Sequence, residues 1–386
     1  MMTLLIKHGH IITADACIDD AWLLCADGKI QAIGQGDAPS ADTIIDAGGD
    51  YVLAGFIDVH VHGSVGADVM DASVEGLLKM SHFFAANGVT SFLPTTLTAS
   101  SEETTAALQT IREAMSHPEQ AAKIIGAHLE GPYLHIAQSG AQNKQYIRPI
   151  DRDEMRSWLD LEVIKLVSVA PELDDSDWLI AECLRRGVTV SAAHTTATYD
   201  EAQVAIAAGL SHATHTYNAM PKLHHRDPGA LAALMLAPTV NCELIADTIH
   251  VHPAMMHLLH QAIGTERLLL ITDAMQAAGV SDGVYELGRY QVTVKNGEAR
   301  LADGTLAGST LTMNRALANF LDATQQVICD CWQVSSQNAA RAIAMDDRIG
   351  CLSVGYDADI VILDADDIAT VQVTLSGGQV IYERDA

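Results

Sequence analysis

The chain has 386 residues, with 49 Asp and Glu against 22 Lys and Arg and a formal net charge of −27. A chain this acidic is not expected to bind nucleic acid or anionic membranes, whose phosphates need clustered cations. Apolar residues make up 49% and charged residues 18%, which excludes a disordered chain and fits either two or three domains or one large α/β barrel with an added module.

The first fifty or so residues read as short strands. They are Leu4–Lys7, Gly9–Ile12, Trp22–Cys25 and Lys29–Ile33, with Asp27-Gly28 as a hairpin turn. Met1–Asp15 lacks a long apolar segment ending in a small-residue cleavage site, so no signal peptide is expected. From about 55 to 345, short apolar runs alternate with helical patterns: Ser73–Ala86, Ser101–Met115, Asp151–Leu159, Asp175–Arg186, Tyr199–Ala208 and His252–Ile263. Repeated strand–helix units predict parallel strands and a (β/α)8 TIM barrel, with a doubly wound open sheet as the runner-up. The last residues are strand-like again, with Ile360–Leu363, Val371–Leu375 and Gln379–Tyr382 around Gly377-Gly378. The two β-rich ends are expected to form one small β domain of residues 1–54 and 346–386, around a catalytic barrel of 55–345. No apolar run reaches the ~18 residues that cross a bilayer. Seven scattered cysteines without a CxxC pair predict reduced thiols in a cytosolic protein, with Cys329 and Cys331 as ordinary thiols on a helix.

In the middle segment, His and acidic residues sit where apolar runs stop: His60 and His62, Glu130, His194, His215 and Asp273. The carboxyl ends of barrel strands form the active face, so these groups would converge. In a strand, His60 and His62 point to one side, about 7 Å apart along the backbone. Imidazoles and carboxylates are the ligands of Zn²⁺ and similar cations, and three protein ligands leave a position open for chemistry. The recurrence of such residues at successive strand ends, more than the His-x-His alone, indicates a metal site. Asp273 suits a general acid/base, since an aspartate ending an apolar strand is costly unless paired. Arg226, with His224, His225 and His250, would supply local positive charge for a phosphate in an otherwise acidic chain, the alternative being a solvated loop. Leu306-Ala307-Gly308-Ser309-Thr310 offers backbone groups to a ligand, with Ala307 at its centre.

These motifs occur in order over nearly the whole chain. They are Gly55–Gly63, His128-Leu129-Glu130-Gly131-Pro132, Ala193-His194-Thr195, His215–Met220, Arg226-Asp227-Pro228-Gly229, Ile245-Ala246-Asp247, Thr272-Asp273-Ala274-Met275 and Leu306–Ser309. On them the chain resembles the amidohydrolase superfamily and, within it, the N-acetylglucosamine-6-phosphate deacetylase family. The resemblance implies a barrel of the metal-dependent hydrolase type with a β-sandwich built from both termini. It implies one or two divalent cations per subunit: Zn²⁺ first, with Fe²⁺, Mn²⁺ or Co²⁺ as alternatives. Glu130, His194 and His215 would be the principal ligands, and His60 and His62 the second position. It further implies Asp273 as acid/base, with Asn218, Ala219, Arg226 and His250 holding the sugar phosphate, and a cytoplasmic homodimer in which the arginine and its histidine neighbour reach across the interface. The implied reaction is deacetylation of a phosphorylated N-acetyl amino sugar. Where many relatives carry a histidine, this chain has Gln142, whose amide donates a hydrogen bond without positive charge. Ala193 stands where a glycine is common. N-acetylgalactosamine-6-phosphate is the alternative substrate. A cyclic-amide hydrolase and a non-catalytic scaffold are more remote readings; Glu130, standing where the former typically has a modified lysine, disfavours the first, and the full set of ligand candidates disfavours the second.

Overall fold

The computed structural model describes residues 3–385. The expected terminal unit of 1–54 and 346–386 therefore includes residues 1–2 and 386, which lie outside the described residues. Eight parallel strands follow one another around a barrel: β1 (Phe56–Val61), β2 (Val89–Thr96), β3 (Ala127–Glu130), β4 (Ile164–Val169), β5 (Thr189–Ala192), β6 (His212–Ala213), β7 (Asn241–Ile245) and β8 (Leu268–Ile271). Ring closure uses the backbone just beyond β8. The Asp273 N–H donates to His60 O at 2.9 Å and the His62 N–H to Ala274 O at 2.8 Å. Strands β1, β2, β3 and β8 are buried along their full length, as parallel strands covered on both faces must be.

The helices stand where the sequence places them: α1 (Val74–Ala86), α2 (Ser101–Ala114), α3 (Arg152–Leu159), α4 (Ser176–Arg185) and α5 (Tyr199–Ala207). Side-chain caps define several starts. Ser100 with Glu103, and Thr198 with Glu201, form reciprocal capping boxes. Helix α6 (Gly229–Leu236) was not expected. Its sequence, GALAALML, has no polar face, so periodicity gives no signal. Helices α7 (Pro253–Ile263) and α8 (Met313–Thr324) complete the ring. Between β8 and α8, simple alternation fails: Gly283–Leu287, Tyr290–Lys295 and Glu298–Arg300 form a separate three-stranded antiparallel sheet.

Both termini enter one eight-stranded sheet. The two expected N-terminal strands are a single strand, Thr3–Ile12, with register shifts around Gly9 and a left-handed His8 (φ 55°). Asp27 and Gly28 both have positive φ, 51° and 74°, as a two-residue hairpin turn requires. Leu4, Ile6, Leu23, Val52, Ile360 and Leu375 share one apolar core, so the sheet folds over its own inner face. Lys123 ties this unit to the barrel through the nearly buried Asp359, at 2.8 and 2.9 Å.

The expectation of seven reduced thiols is corrected. Cys17, in the strand Cys17–Ala26, is disulfide-bonded to Cys329, in the helix Ile328–Cys331, while the other five cysteines are free and buried. The partners are 312 residues apart, so local spacing carries no trace of the pairing.

Candidate metal centre

Strand ends deliver the side chains. His60 lies in β1 and His62 just beyond it, and Glu130 is the last residue of β3. His194, His215 and Asp273 each stand two residues past β5, β6 and β8, and all three have left-handed backbones, with φ of 42°, 32° and 49°. Such conformations cost about 1–3 kcal/mol each and persist where the surroundings over-determine them. Gly131 (φ 76°) follows Glu130 so closely against Thr98 that no Cβ fits there.

The groups form two clusters sharing one carboxylate. Glu130 Oε1 lies 3.1 Å from both His194 Nε2 and His215 Nε2, which are 3.1 Å apart. Glu130 Oε2 faces the other way, 3.2 Å from His62 Nε2 and 3.7 Å from His60 Nε2. Asp273 Oδ1 completes the second cluster, 3.2 Å from His62 Nε2 and 3.6 Å from His60 Nε2. The structure thus brings every metal-ligand candidate and Asp273 to one place.

The donor set fits a divalent cation. Bonds of about 2.0–2.1 Å put neighbouring ligand atoms roughly 3.0–3.4 Å apart, and both clusters have contacts in that range. The ring orientations agree. His194 Nδ1 donates to Gln138 O at 2.7 Å and His62 Nδ1 to Thr95 O at 3.1 Å. A carbonyl only accepts, so each Nε2 presents its lone pair to the cluster.

Electrostatics act in the same direction. Burial works to raise the pKa of Glu130, but His60, His194 and His215 overcome it and hold the carboxyl well below its usual range. For Asp273, burial is likewise outweighed by His60 and His62, so it too lies below its ordinary value. Gln142 is buried against Glu130, donating from Nε2 to Oε2 at 2.6 Å, while its Oε1 accepts the Thr98 N–H at 2.8 Å.

Above the clusters opens a cavity of about 780 Å³, lined among others by His62, Glu130, His194, His215 and Asp273. Gln142, Asn218, Ala219 and His250 also line it. Asp247 holds His250 Nδ1 at 2.6 Å. Ala307 does not line it: its N–H is donated to Ala299 O at 3.0 Å, while Leu306 and Gly308 face the space. Arg226 is exposed on a loop outside that lining, with His225 Nε2 2.7 Å from its guanidinium. Sequence reasoning passed over Lys222 and Arg300, both of which face the cavity. It also passed over His128, His212 and Glu243, buried in the barrel below. A chemistry-bearing residue inside an apolar run, such as Glu243 in Cys242–Ile245, was the available signal.

The amidohydrolase family model matches residues 51–382. The chain is 38% identical to the N-acetylglucosamine-6-phosphate deacetylase of Bacillus subtilis (strain 168), over 98% of this chain and 97% of that protein. It is 35% identical to the N-acetylgalactosamine-6-phosphate deacetylase of Escherichia coli O157:H7, over 94% and 96%. The crystal structure of the N-acetylglucosamine-6-phosphate deacetylase from Pasteurella multocida superposes with a TM-score of 0.93 at 29% identity, covering 98% of this chain and 99% of that one. The chain belongs to the amidohydrolase family and, within it, to the N-acetylglucosamine-6-phosphate deacetylases.

Proposed function

We propose that this protein hydrolyses the acetamide of N-acetyl-D-glucosamine 6-phosphate to glucosamine 6-phosphate and acetate. The observation that carries the reading is Glu130, whose two oxygens serve two clusters on the floor of a cavity large enough for a sugar phosphate. His194, His215 and Glu130 would hold one cation, and His60, His62, Asp273 and the second Glu130 oxygen another. Zn²⁺ is the first choice, and Fe²⁺, Mn²⁺ and Co²⁺ suit the same nitrogen and oxygen donors. Such ions, when bound, activate water and polarise a carbonyl.

The remaining steps fall to the chain's own side chains. Asp273, kept anionic by His60 and His62, accepts a proton from the attacking water and returns it to the departing amine nitrogen. Gln142 keeps the Glu130 carboxylate in register. Asn218, Ala219 and His250 bind the sugar phosphate, with the Asp247 bond orienting the His250 ring. Arg226 would serve the cavity of a second copy in a homodimer, which its exposed position outside its own cavity supports. Leu223, 44% exposed in the same loop, gives that part of the surface apolar area to cover. No helix among the described residues is long and apolar enough to cross a membrane. The reading places the protein in the cytoplasm, where a charged sugar phosphate is retained by the bilayer.

Acetate release from the 6-phosphates of N-acetylglucosamine and N-acetylgalactosamine, measured side by side with elemental analysis, tests the assignment. A higher kcat/KM for the gluco epimer with bound divalent metal is expected. No acetate from either sugar would refute the reading.

A further inference from the structure

Below the clusters, Glu243 on β7 is fully buried and faces no Lys or Arg partner among its hydrogen bonds. Its Oε2 lies 3.1 Å from His60 Nδ1 and accepts the His215 backbone N–H at 3.0 Å. Its Oε1 lies 3.0 Å from His212 Nε2. One carboxylate therefore touches the inner nitrogen of a side chain from one cluster and the main chain carrying a side chain of the other. His62 and His194 are oriented by neutral carbonyls, whereas His60 faces a carboxylate. An oxygen that already accepts a main-chain N–H accepts from Nδ1 as well, so the proton sits on Nδ1 and the Nε2 lone pair turns towards His62 and Asp273. His60 Nε2 is 3.3 Å from His62 Nε2, consistent with that orientation.

We propose that Glu243 is a positioning residue that fixes the tautomer and ring plane of His60, and anchors β1 to the end of β6, so that the two ion positions keep their spacing. The inference rests on the metal-centre reading above. A carboxylate behind a ligating imidazole raises its basicity, and losing one costs about 10–100-fold in metal affinity. Glu243→Gln tests this. A carboxamide keeps the shape, and its NH₂ can still donate to His212 Nε2 if that ring carries its proton on the unpartnered Nδ1, but the negative charge behind His60 is lost.

Metal-free protein is titrated with Zn²⁺ against a chromophoric chelator, and the Co²⁺ form is followed by its absorption spectrum. Wild-type protein is expected to take up two ions per subunit. In Glu243→Gln the weaker-binding ion should lose about 10–100-fold in affinity, with an altered Co²⁺ spectrum and the first ion retained. Two ions bound as tightly as in wild type, or both weakened equally, would overturn the proposal. Wild-type protein that binds no ion would instead refute the metal-centre reading, before any variant is compared. Should Glu243→Gln fail to fold, ¹⁵N-histidine spectra of zinc-loaded wild-type protein decide. A protonated His60 Nδ1 supports the proposal, and an unprotonated one overturns it.

Discussion

Asp273 Oδ1 stands 3.2 Å from His62 Nε2, on a backbone held at a φ of 49°. The contact helps keep the carboxylate charged at the edge of the cavity, where the proposed reaction needs a proton acceptor. Asp273→Asn preserves shape and loses basicity. It should lower kcat by at least about 10²–10⁴-fold, while at least one ion per subunit remains by elemental analysis. Near-normal kcat would remove Asp273 from the acid/base role.

In the proposed reading, Arg226 separates phosphate recognition from chemistry. Arg226→Ala should raise KM for the phosphorylated sugar far more than for the unphosphorylated one, with little change in kcat. Because Arg226 is exposed and outside its own cavity, the effect should also weaken when sedimentation shows the protein diluted to monomers. Equal changes for both sugars would exclude a phosphate clamp.

Gln142 bridges Glu130 and the Thr98 N–H. Gln142→Ala leaves a buried donor unpaired, which costs about 1–3 kcal/mol of stability. Chemical denaturation should register that loss, and chelator competition should register weaker metal binding. An unchanged midpoint would mean that water replaces the amide without penalty.

His128 supplies a pH prediction. Burial pushes it down to about 3. Its Nδ1 donates to Val59 O at 3.1 Å, and Nε2 lies 2.7 Å from the Ser168 hydroxyl. The unfolded chain takes up this proton near the ordinary value of 6.5. The stability it contributes is therefore complete above that pH and is lost as pH falls from 6.5 towards about 3. His128→Gln should be less stable at pH 7 but show a shallower fall in denaturation free energy across that window. Parallel curves would contradict it.

The barrel and its rim were legible because both rest on short-range signals. Apolar runs ending in His, Glu or Asp mark strands and their carboxyl ends, and helical patterns mark the segments between them. Helix α6 was hidden by its uniform apolarity. The antiparallel insert lies between two barrel elements and is defined by pairing, not by periodicity. Glu243 and His212 were invisible for another reason. Their importance comes from what lies across the barrel, and no spacing in the chain encodes that His60 and Glu243, 183 positions apart, face each other. The Cys17–Cys329 pair was missed on the same ground.

The strand Tyr51–Ala54 hydrogen-bonds to Ile360–Leu363, and Thr3–Ile12 lies next to Tyr51–Ala54 in the same sheet. During synthesis the N-terminal strands must therefore wait, with an open edge, for nearly the whole polypeptide to leave the ribosome. Unpaired edges of this kind invite association between nascent chains. The net charge of −27, the same sign on every copy, opposes such association.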